Sequence, residues 1–128
     1  ERFVPTAVAL NCGVYRAPVS EDEKDQSNLL MADLLPERGT KDEYEKISLV
    51  NYVTSQYPPV FLMTATGDFL REQATLLVEK LMEFEIPFVY RYYGSAERPL
   101  GHVFHCNIRL QEASRCNDEE CEFFRSYC

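Results

Sequence analysis

The chain has 128 residues, enough for one domain with a real core, since a chain of about 150 residues buries roughly 68–70% of its unfolded surface. Its composition, 45% hydrophobic and 27% charged, is ordinary for a globular protein. The formal net charge of -8 argues against nucleic acid, which demands clustered Lys and Arg, and against an anionic membrane surface; no apolar run approaches the roughly 20 residues that span a bilayer.

The chain starts at Glu1, is strand-like by Val4, and shows no leader, which reads as a piece excised from a longer polypeptide, a processed mature chain being the alternative. Residues 5–12 form a short apolar run that Gly13 punctuates, and brevity favours a strand over a helix. Residues 17–46 change character. They are acid-rich at Ser20-Glu21-Asp22-Glu23-Lys24-Asp25 and carry islands of Leu29, Leu30, Leu34 and Leu35 broken by Pro36 and Gly39. This predicts short helices in an insertion between sheet strands.

Residues 59–66, Pro59-Val60-Phe61-Leu62-Met63-Thr64-Ala65-Thr66, are almost continuously apolar, the pattern of a strand buried on both faces of a parallel sheet. From about Phe69 to Glu85, Leu70, Ala74, Leu77, Leu81 and Phe84 recur at helical spacing. Pro87 ends that helix and a strand over 88–94 follows, which makes a βαβ unit. The tail predicts a last helix with Asn117 as N-cap, Glu120 three residues on, and Phe123, Phe124 and Tyr127 on its docking side.

Two side chains stand out in this frame. Asp68 follows one buried strand and His102 follows the next. Ligands of open α/β sheets bind beyond the carboxyl ends of the strands, and adjacent strands lie about 4.8 Å apart, so the two loops can meet. An imidazole that takes a proton from a nucleophile needs its other nitrogen tied to a carboxylate. On the residues alone two plain alternatives stay open: Asp68 as a helix N-cap, and His102 as a solvated loop residue.

The stretch from Tyr57 through Gly67-Asp68-Phe69-Leu70 to Gly101-His102-Val103-Phe104-His105 resembles the C-terminal part of an α/β-hydrolase, of the esterase/lipase group related to hormone-sensitive lipase and acetyl esterases. In that group a strand ending in Gly-x-Asp-x-Leu supplies the triad acid, and a His loop after the last strand supplies the base. The resemblance therefore implies Asp68 as acid and His102 as base, with His105 the rival. It implies a three-layer α/β/α fold holding a short parallel sheet of about three strands. It also implies a small-molecule ester substrate and no metal or organic cofactor. The likeness extends back through Thr6–Tyr15 and forward through the Cys116–Arg125 stretch, with 17–46 the least matched.

The departure is equally specific. The family's nucleophile sits in Gly-x-Ser-x-Gly and its oxyanion hole in a His-Gly-Gly segment, and neither motif occurs here. The chain alone is thus expected to be inactive and to depend on the N-terminal part of the same hydrolase. Its first strand is expected to expose an edge that invites pairing, including with a second copy.

Five cysteines cannot all pair within the chain, which leans toward a reducing, cytoplasmic setting. Two other function classes remain. His102, His105, Cys106, Cys116 and Cys121 cluster in sequence as in a small zinc-binding domain, although their spacing lacks a tight Cys-x-x-Cys knuckle. The missing nucleophile also suits a non-catalytic binding or assembly domain.

Overall fold

In the computed structural model of the protein, which describes residues 3–128, every residue of the strand Val60–Ala65 (β2) is buried. It is flanked by Val8–Asn11 (β1) and Phe88–Tyr93 (β3) in a parallel sheet of order β1-β2-β3. Val8 registers with Val60 and Asn11 with Met63; on the other side Val60 registers with Phe88 and Ala65 with Tyr93. The expected α/β class and three-strand parallel sheet are therefore observed. Each strand is shorter than its apolar run, because the flanking prolines and turn residues leave the ladder.

Side chains alternate across a strand, so β2 feeds two cores. Val60 and Leu62 point to one face and join Ala74, Leu77 and Leu81 of Arg71–Glu83, designated α3 because two short helices precede it. Phe61, Met63 and Ala65 point to the other face and join Ala113, Cys116 and Phe123 of Gln111–Arg125 (α4). Each fully buried side chain of this size is worth about 1.5–3 kcal/mol, which explains why a strand with no polar face is stable here. The result is a helix on each side of the sheet.

α3 ends as its sequence dictates. Glu85 takes a left-handed φ of 55°, the Ile86 N–H reaches back to the Leu81 carbonyl at 2.9 Å, and Pro87 forbids continuation. The last helix departs from expectation. It begins at Gln111, so Asn117 is not its cap; the Asn117 amide instead donates to the His105 carbonyl at 3.1 Å. Ala113 and Cys116, both without exposure, carry the helix back a full turn and more beyond the polar Asn117 signal.

Between β1 and β2 lie the two short helices Gln26–Leu34 (α1) and Lys41–Ile47 (α2), as the broken pattern predicts. Thr40 caps α2 in a reciprocal capping box with Glu43, a signal the sequence reading missed. β1 pairs with β2 alone, so its outer side carries no strand among the described residues. No helix among the described residues is long and apolar enough to cross a membrane.

Candidate active site

The carboxyl end of the sheet is drawn together by two glycines. Beyond β2 and β3, Gly67 and Gly101 form an isolated parallel bridge, and the Gly67 N–H donates to the Leu100 carbonyl at 2.8 Å. A Cβ on Gly67 would sit 2.9 Å from that carbonyl oxygen, so the approach requires glycine. This contact places the residue after each glycine, Asp68 and His102, side by side.

Asp68 is completely buried. Its Oδ2 accepts from the Thr64 hydroxyl at 2.7 Å, and its Oδ1 accepts from the Leu70 N–H at 2.9 Å. His102 Nδ1 lies 2.9 Å from the same Oδ1. Burial by itself would raise the Asp68 carboxyl. The donors from Leu70, Thr64, His102 and Cys12 outweigh that effect and hold it below its ordinary value, so it faces the ring as a carboxylate. A carboxylate can only accept, which makes Nδ1 the protonated nitrogen and leaves the Nε2 lone pair free; the proton position is assigned from this network.

The ring itself is steadied by Phe69, whose ring centroid lies 4.7 Å away, and is one-third exposed. A buried acid behind a partly open imidazole is the arrangement needed to accept a proton from outside and stabilise the resulting charge. Val103, immediately after the histidine, adopts a left-handed φ of 50°, an unusual state for a β-branched residue. Strain of this type is stored where surroundings over-determine the backbone, commonly at functional sites.

The structure therefore brings Asp68 and His102 together. The N-cap alternative does not hold as stated: α3 is capped at Leu70, without a side-chain bond, and Asp68 serves the turn before it. His105 is turned elsewhere. Its Nδ1 is buried without a hydrogen-bond partner, its carbonyl holds Asn117, and burial pushes its imidazole below the ordinary value. The sequence cluster of His102, His105, Cys106, Cys116 and Cys121 does not assemble as a metal-ligand set. Cys116 is packed in the α4 core with its thiol pushed by burial up to about 11.

Two neighbours of Asp68 escaped sequence reasoning. Thr64 is the last but one residue of β2, four positions before the acid, and it reads simply as part of an apolar strand. Cys12 directly follows β1, with a left-handed φ of 50°. Burial pushes its thiol up to about 12, the Val103 backbone amide opposes that rise, and the Asp68 carboxylate adds to it. Its position at the end of a strand adjoining β2 was the one available signal.

A sizeable cleft lies away from this chemistry. It measures about 910 Å³, runs between α1 and α2, and is lined by residues such as Leu29, Arg38 and Tyr44, with neither Asp68 nor His102 among them.

No protein family and no curated protein matches the chain by sequence. Solved structures do match. The fold is similar to esterase B from Lactobacillus rhamnosis (HN001), with a TM-score of 0.75, 20% identity and 95% of this chain covered. A C6-C4 SN3 inhibited esterase B gives the same TM-score at 21% identity, as does a C4-C4 SN3 tributyrin phosphonate structure at 20%. The protein thus has the fold of part of an α/β-hydrolase. It spans about 40% of the length of those esterase chains.

Proposed function

We propose that this chain is the acid–base half of a serine carboxylic-ester hydrolase of the acetyl-esterase and hormone-sensitive-lipase type, with Asp68 and His102 as its triad acid and base. The observation that carries the reading is the 2.9 Å contact from His102 Nδ1 to the buried Asp68 carboxylate at the rim of an esterase-like sheet. A serine delivered to the open Nε2 of His102 gives up its proton as it attacks the ester carbonyl. His102 then hands that proton to the departing alcohol, while Asp68 keeps the ring oriented and stabilises its charged form. No metal or organic cofactor enters these steps.

The nucleophile is not among this chain's seven serines by motif, so the site is incomplete without a further segment. The outer side of β1, paired only on its β2 side, is where a strand from the N-terminal part of the same hydrolase would add. The same edge offers a route to homo-oligomers. The α1–α2 segment, 17–46 with its flanks, is read as an insertion within a single domain spanning 1–128, and its exposed leucines are candidates to shape the acyl or alcohol pocket. All five cysteines are unpaired, which suits residence in the cytoplasm.

The test is reconstitution. The chain is mixed with, or fused behind, the upstream segment of an esterase of this fold that carries Gly-x-Ser-x-Gly, and hydrolysis of short p-nitrophenyl esters is followed. Activity should need both parts, and Asp68→Asn or His102→Ala should each lower kcat by about 10³–10⁴-fold. Activity indifferent to both substitutions would remove the proposal. His105→Ala should leave the rate nearly unchanged.

A further inference from the structure

Three donors of three elements converge at the carboxyl end of the sheet, one from the loop after each strand: Cys12 after β1, Asp68 after β2 and His102 after β3. Cys12 Sγ, an Asp68 oxygen and a His102 ring nitrogen all lie within 4.8 Å of one another. An acid–base pair accounts for the carboxylate and the imidazole. It does not account for the sulfur. Cys12 is buried to 4% exposure, and its sulfur also touches the Met63 thioether at 3.8 Å, so the pocket is soft as well as closed.

We propose that Cys12, Asp68 and His102 form a site for a thiophilic divalent cation of the zinc class, bound through Cys12 Sγ, an Asp68 oxygen and His102 Nδ1. The donor set decides the class. Calcium and magnesium require six or more oxygens, and here there is one carboxylate; zinc accepts mixed sulfur, nitrogen and oxygen ligands, three from protein and one from water. Bond lengths of this kind place tetrahedral ligands about 3.3–3.6 Å apart. The three donors lie within 4.8 Å of one another, so small side-chain adjustments bring them to that separation, the 2.9 Å contact between Nδ1 and Oδ1 opening by a few tenths of an ångström. His102, one-third exposed, is the wall through which a cation gains access.

Proton balance gives the consequence. The cation takes the place of the thiol proton, which leaves to solvent, and of the Nδ1 proton, which moves to Nε2. One proton is released per cation. A ring with metal on Nδ1 and hydrogen on Nε2 has no lone pair left to accept a proton from a nucleophile. Occupied, the site switches the base off. This inhibition rests on the acid–base role proposed above, whereas the binding does not.

The experiment therefore reads binding on the chain as it stands, in a background with the exposed thiols removed by Cys106→Ser, Cys121→Ser and Cys128→Ser. Co²⁺ alone is titrated in, and thiolate-to-cobalt charge-transfer absorption is followed, then displaced with Zn²⁺. The site predicts a saturating band at one cobalt per chain. Cys12→Ser should abolish the band. His102→Ala, a change at the exposed wall that leaves the core untouched, should weaken binding by at least about 10–100-fold, the loss typical even of residues that merely support a metal ligand. Absence of the band in the background chain, a band that survives Cys12→Ser, or a cobalt affinity that His102→Ala leaves unchanged overturns the proposal. Neither outcome touches the ester-hydrolysis assay, so the two readings fail separately.

Discussion

Between β1 and β2 the chain makes two short helices, and Leu29, Leu30 and Leu34 on the first of them are 53%, 60% and 85% exposed. Between β2 and β3 it makes one helix whose Leu77 and Leu81 have no exposure at all. The two regions are held by different forces. The βαβ unit is fixed by apolar burial on both faces of β2. The α1–α2 segment is fixed mainly by polar side chains satisfying backbone. Asn28, itself buried, accepts from the Val19 N–H at 2.8 Å and donates to the Ser20 and Asp22 carbonyls at 2.7 and 2.9 Å. Ser48 accepts from the Ala17 N–H at 2.9 Å, and Gln73 Oε1 on α3 accepts from the Tyr15 and Arg16 N–H groups. The contrast teaches where precision is needed. Asp68 and His102 hang from the densely packed sheet, whereas the α1–α2 segment is tied on by a handful of hydrogen bonds.

Substitutions should reproduce that ranking in urea unfolding. Phe61→Ala empties the sheet core on the α4 side and should cost about 3–5 kcal/mol. Asn28→Ala leaves buried backbone groups without partners and should cost about 1–3 kcal/mol, with loosening confined to the α1–α2 segment in hydrogen exchange. Leu30→Ala, on the exposed helix face, should stay within about 0.5 kcal/mol. A large loss at Leu30 together with a small one at Phe61 would invert the comparison.

Acid separates the regions more finely. Half-buried His105 sits below its ordinary value of 6.5, so on acidification the unfolded chain takes up that proton first, and stability falls as pH drops below 6.5. Asp68 is likewise depressed below 3.8, so its contribution is complete above that value and is lost as pH falls through its lower folded value. His105→Gln should flatten the upper part of the acid limb and Asp68→Asn the lower part, as read by urea midpoints across pH.

Legibility in the sequence followed the same division. Val60 to Ala65 announced a two-faced strand because Thr64 alone interrupts an otherwise apolar run that needs burial on both sides, and the Leu77–Leu81 stripe announced α3 by its period. Asp68 and His102 could be paired because each follows a glycine past a strand end, and strand order then brings them to one edge. Cys12 and Thr64 were illegible as site residues. Their role depends on which way a side chain turns across neighbouring strands, which no local pattern records. Asn117 misled for a related reason: an N-cap signal is local, and the burial of Ala113 and Cys116 against the sheet outweighs it.

The central claim is that one ring nitrogen of His102 is committed to Asp68 and the other is open for chemistry. Nitrogen-15 NMR of the His102 ring, at a pH where it is neutral, reads this directly. The account predicts hydrogen on Nδ1 and a bare Nε2, with that preference lost in Asp68→Ala. A ring protonated on Nε2, or one whose tautomer ignores Asp68→Ala, would contradict it.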